Sequence, residues 1–129
     1  MRLLSPILSL DIEPTVEAIK KALSDIQNVK RDPYVILEKN ERNYLQTFYS
    51  NEGYVLEYQS GPLQEHFRSI KRLNQDTISK VFDRYFQDDL QWKSGIEFKK
   101  TTMPKPISFR VGYFVGTVVS KIQKYLNRK

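Results

Sequence analysis

Between Tyr34 and Ile70 four short runs of β-branched and aromatic residues are joined by connections of only four to six residues, and this spacing limits the fold more than any other feature. The runs are 34–38, 44–49, 54–58 and 65–70. Parallel strands need a crossover of a dozen or more residues, so neighbours joined this closely must pair antiparallel. The spacing therefore predicts a meander. In the third run Tyr54, Leu56 and Tyr58 share one face and Val55 and Glu57 the other, the pattern of a sheet packed on one side and wet on the other. The first run, Tyr34-Val35-Ile36-Leu37, is apolar on both faces, which suits an interior strand better than an exposed edge.

Helical periodicity flanks the meander. Glu13-Pro14 suits a first helical turn, and Val16, Ile19, Leu23 and Ile26 recur at helical spacing, which predicts a helix over 14–27. A second helix is expected over 75–90, capped by Asn74 or Asp76. Its stripe Ile78, Val81, Phe82, Tyr85 and Phe86 has the apolar face of the sheet as its destination. Gly95-Ile96-Glu97-Phe98-Lys99 reads as a fifth strand. After the Pro104 and Pro106 connector, Val115, Val118, Val119, Ile122, Tyr125 and Leu126 predict a C-terminal helix within 107–129. Residues 107–115 alternate like a strand as well, and Gly112 and Gly116 each weaken a helix by about 1 kcal/mol relative to Ala.

These elements give an α+β fold: a four- to five-stranded, mainly antiparallel sheet, covered on one face by helices, with a C-terminal helix beside them. At 129 residues the chain reads as one domain spanning 1–129, long enough to bury about two-thirds of its unfolded surface. It has no cysteine, which removes disulfides, thiolate metal sites and cysteine nucleophiles and suits a reducing, cytoplasmic location. Pro6 and Asp11 interrupt the apolar N-terminal stretch, so a signal peptide is not expected, and Arg110 and Lys121 bracket the one candidate membrane span.

The net charge of +6 is unevenly placed. Residues 1–97 hold 13 basic and 15 acidic side chains, a net of −2, whereas residues 98–129 hold eight basic residues and no acid. A local basic patch including Lys121, Lys124, Arg128 and Lys129 follows, suited to nucleic acid or an anionic membrane surface, or to a solvated helix end favoured by the macrodipole.

Motifs for covalent chemistry are sparse. His66 is the one histidine, beside Glu65 and Arg68, and a general base would need an orienting carboxylate and a nucleophile in reach. Asp88 and Asp89 with Glu97 are a thin basis for a metal, since adjacent residues at a helix end diverge. The five glycines make no phosphate-cradling loop. No catalytic residue, metal or cofactor is therefore expected. Aromatics on strands can stack on bases, yet residues 34–70 hold five acids against three bases, a sheet that repels phosphate. Core and protein-facing surface are the better uses for these rings.

The run Leu37-Glu38-Lys39, Tyr44-Leu45-Gln46, Gly53-Tyr54-Val55-Leu56-Glu57-Tyr58-Gln59 and His66-Phe67, followed by Val81-Phe82, Tyr85-Phe86, Trp92-Lys93 and Ile96-Glu97-Phe98, resembles small bacterial immunity proteins. The likeness covers residues 34–99. It implies a non-enzymatic protein that neutralises a partner toxin by binding it, through an acidic surface. The expected contact residues are Glu41, Glu52, Asp88 and Asp89 on loops around the wet face of the sheet. Tyr49, Tyr58 and Trp92 are the candidate aromatic anchors, with core residence the competing role for each.

Overall fold

The computed structural model describes residues 1–8, 12–61 and 65–101, and these form one antiparallel sheet with two helices packed on it. The strands are β1 (Arg2–Leu4), β2 (Tyr34–Asn40), β3 (Asn43–Ser50), β4 (Gly53–Ser60), β5 (His66–Ser69) and β6 (Phe98–Thr101), in that order across the sheet. The expected four-run meander is β2 to β5, and β2 lies in the interior as its two apolar faces required. The sheet has six strands rather than four or five. The addition is β1, three residues too short to carry a periodic signal; Leu3 also pairs with Ile12 on its outer side.

Local chemistry sets the element ends. Asn51 and Glu52 both take positive φ (52° and 62°), the two-residue hairpin conformation whose twist matches the strands it joins. The expected helix over 14–27 is α1 (Val16–Asp25), capped by the Thr15 hydroxyl, which accepts from the Ala18 amide at 3.0 Å, and followed by a 3-10 turn, Ile26–Asn28. The expected helix over 75–90 is α2 (Gln75–Phe86). Asn74 caps it through the Thr77 amide at 2.8 Å, and it stops where Asp88 turns left-handed at φ 62°. A separate 3-10 turn, Leu90–Lys93, follows. The last strand begins three residues later than the sequence suggested: Ile96 N–H closes a turn onto the Lys93 carbonyl, and Gly95 takes φ 82°.

Both helices lie on one face of the sheet. Ile19 and Leu23 from α1, Ile26 from the 3-10 turn after it, and Ile78, Val81, Phe82 and Tyr85 from α2 form one core with Leu3, Val35, Leu37, Leu45, Tyr54, Leu56 and Tyr58. Tyr54 ties the layers together, its hydroxyl donating to the Leu23 carbonyl at 2.6 Å and accepting from Gln27 at 2.9 Å. The helix expected within 107–129 lies outside the described residues, as do Lys121, Lys124, Arg128 and Lys129.

Candidate functional site

The elements bring part of the expected contact surface together at one end of the sheet. Lys39, near the end of β2, reaches the start of the 3-10 turn, where its ammonium donates to Asp88 at 2.6 Å and lies 4.5 Å above the centre of the Tyr85 ring. Burial pushes the Tyr85 hydroxyl pKa well up, and the charges of Asp88 and Glu38 add to that. Asp89 caps the turn by accepting from the Gln91 amide at 2.9 Å. Glu41 is exposed in the β2–β3 connection, two residues beyond Lys39.

Trp92 follows on this turn, half-buried, its ring edge-on to Tyr58 at 5.0 Å and to Tyr85 at 5.4 Å. Lys93 sits over the rings of Tyr58 and Trp92. Between Asp89 and Trp92 the side chain of Leu90 is 84% exposed, so the turn presents an apolar group to solvent next to paired and capped acids. Neither Leu90 nor Lys39 was marked by the sequence: a lone leucine beyond a helix stripe and a lysine after a strand have no distinctive spacing.

The other expected contact residues divide. Tyr58 is only 7% exposed, stacked on Phe67 and edge-on to Phe98, and is a core residue rather than an anchor. Tyr49 and Glu52 lie at the opposite end of β3, about 25 Å from Glu41 at the usual rise per strand residue. There Tyr49 is half-buried and edge-on to Tyr54 at 5.0 Å. Glu41, Asp88, Asp89 and Trp92 share one end; Glu52 and Tyr49 do not belong to it.

The face expected to be wet is not wet. Two full rows of side chains cross the sheet on the side away from the helices, one through Leu4, Ile36, Gln46, Glu57, Arg68 and Lys99, the other through Arg2, Glu38, Tyr44, Gln59, His66 and Thr101. Glu57, Gln59 and His66 are each 3% exposed and Val55 is buried with them, so this face cannot be an open docking surface in this state. Alternation along β4 showed which residues share a side, but polarity misjudged their burial.

Glu57 is the centre of this polar ladder. One carboxylate oxygen accepts from the Gln46 amide at 2.6 Å and the other from the Arg68 guanidinium, so a buried negative charge is met by two donors. His66 Nε2 lies 3.9 Å from Glu57 Oε1, beyond hydrogen-bond reach, and its Nδ1 lies 2.8 Å from the Thr101 hydroxyl oxygen. Burial holds the imidazole pKa below its ordinary value; Glu57 pulls it up and Arg68 pushes it further down. No group of three or more metal-ligating side chains occurs among the described residues, and no helix among them is long and apolar enough to cross a membrane. No protein-family model, curated protein or solved structure matches the chain.

Proposed function

We propose that this chain is a non-enzymatic protein-binding module of the immunity type, which neutralises a bacterial toxin by direct contact through the end of the sheet where Glu41, Asp88, Asp89, Leu90 and Trp92 meet. The observation that carries this reading is the placement of Leu90, 84% exposed, on a turn fixed by the Asp89 cap and by the Lys39–Asp88 pair. An exposed leucine alone is ordinary. Held between the Asp88 and Asp89 acids and a half-buried tryptophan on a fastened turn, it gives the mixture of apolar anchor and charged rim that interfaces use, with little loop entropy left to lose on binding.

The test is co-expression with a toxic domain encoded by the adjacent reading frame. Rescue of growth is expected, and Leu90→Arg and Glu41→Lys are expected to weaken the purified complex at least tenfold, while Glu52→Lys at the far end leaves it unchanged. Absence of rescue, or a complex indifferent to Leu90→Arg and Glu41→Lys, overturns the reading.

A second reading rests on the acid-free, eight-fold basic stretch 98–129, of which Lys99 and Lys100 are exposed on β6. It makes the C-terminal segment a contact for nucleic acid or an anionic membrane. Binding that weakens steeply with salt and vanishes on deletion of 107–129 supports it, and binding unchanged by the deletion counts against it.

A further inference from the structure

His66 stands on β5 with a partner on each side. Toward β6, the Thr101 hydroxyl oxygen lies 3.5 Å from the His66 carbonyl and 2.8 Å from Nδ1; assigning the hydroxyl proton to the carbonyl makes Nδ1–H the donor to Thr101. Toward β4, Nε2 then presents a lone pair to Glu57 Oε1 at 3.9 Å and has no hydrogen-bond partner among the described residues. A buried nitrogen left facing a carboxylate costs free energy, and one proton between the two would remove the cost.

That proton cannot be accommodated without movement. Glu57 is fastened from β3 by Gln46 and from β5 by Arg68, so the carboxylate is not free to approach. The imidazole must travel about 1 Å toward β4 to bring Nε2–H within the usual bonding distance. Because β4 and β6 flank β5 on opposite sides and the ring is rigid, a step toward Glu57 is a step away from Thr101. The two partners compete for one ring.

We propose that His66 is an acid-triggered latch: neutral, it fastens the end of β6 to β5 through Thr101; protonated, it moves to Glu57 and releases that end of β6. The charged and titratable groups around it, among the described residues, are Tyr44 from β3, Glu57 from β4, Glu65 and Arg68 from its own strand's neighbourhood, and Lys99 of β6 across from Arg68. Glu38 and Arg2, an ion pair in the same row, lie beyond Tyr44. Arg68 is the competitor, since it already holds the carboxylate the protonated ring would take. What the latch holds is Thr101 of β6, a strand that belongs to the acid-free stretch 98–129.

Having a single histidine makes the test direct. The imidazole ring signals of the full-length protein are followed by NMR from pH 8 to pH 4, together with the amide signals of Lys100 and Thr101. The ring and these two amides are expected to titrate with one midpoint. Arg68→Gln removes the competing cation and is expected to raise that midpoint by about one pH unit. Thr101→Val is expected to uncouple the β6 amides while the ring still titrates. Amides of β6 that stay still while the ring titrates, or a midpoint indifferent to Arg68→Gln, overturn the proposal; both Arg68 and Thr101 are partly exposed, so neither variant depends on rebuilding the core.

Discussion

The ammonium of Lys39 donates to Asp88 across 49 residues of sequence, at 2.6 Å, and so fastens the strand β2 to the residue that ends α2. Asp88 has two roles there, ion partner and left-handed helix stop at φ 62°. The Asp88 side chain is 75% exposed, so the ion pair alone contributes at most about 1 kcal/mol. A left-handed alanine costs about 1 kcal/mol more than a glycine there. Asp88→Ala is thus expected to destabilise the fold by about 1.5 kcal/mol and Asp88→Gly by less than about 0.5 kcal/mol in urea unfolding. Equal losses in the two variants would show that the charge, and not the backbone, decides.

Leu90 makes the opposite prediction for stability. Its side chain is 84% exposed, so Leu90→Ser removes almost no buried surface, and a change within about 0.5 kcal/mol is expected. A loss of 2 kcal/mol or more on thermal or urea melting would place Leu90 in the core and remove the main support for the binding surface.

Glu57 is buried with Gln46 and Arg68 donating to it, and truncating it strands both donors. Removal of one partner from a buried pair costs about 3–5 kcal/mol; Arg68 is 46% exposed and recovers part of its hydration, so the lower end applies to Glu57→Ala. Glu57→Gln, which keeps an acceptor oxygen, is expected to lose about half as much. Denaturation midpoints that fall equally in the two variants would contradict this account.

The pH dependence of stability follows from His66. Its pKa is lowered in the folded state, chiefly by burial, so at a pH between the folded value and the unfolded value of about 6.5 the unfolded chain binds more protons. The stability from the neutral buried ring is complete above about pH 6.5 and declines as the pH falls below it. His66→Gln is expected to flatten the difference in unfolding free energy between pH 7.5 and pH 5.5 relative to the parent chain. A parent and variant with parallel pH profiles would show that His66 titrates alike in both states.

Tyr54 tests the link between the layers. Its buried hydroxyl joins the Leu23 carbonyl to Gln27, and Tyr54→Phe leaves that carbonyl with one acceptor site unmet. A loss of about 1–2 kcal/mol is expected from calorimetry or urea melts. An unchanged midpoint would mean that packing alone seats α1 on β4.

The amino-acid sequence by itself determined the meander, because connections of four to six residues between 34 and 70 leave antiparallel pairing as the reachable choice, and it determined which residues of α2 face inward, because Ile78, Val81, Phe82 and Tyr85 fall on one side of a 3.6-residue turn. Both are local constraints of chain length and geometry. What only the tertiary structure decided is what depends on distant partners. Glu57 reads as a solvent-facing residue until Gln46 and Arg68 arrive from the strands on either side; Tyr58 reads equally as an anchor or a core residue until Phe67, Trp92 and Phe98 close around it. Alternation along a strand fixes which side chains share a side of the sheet. It does not fix whether that side meets water, because burial depends on other segments of the folded chain.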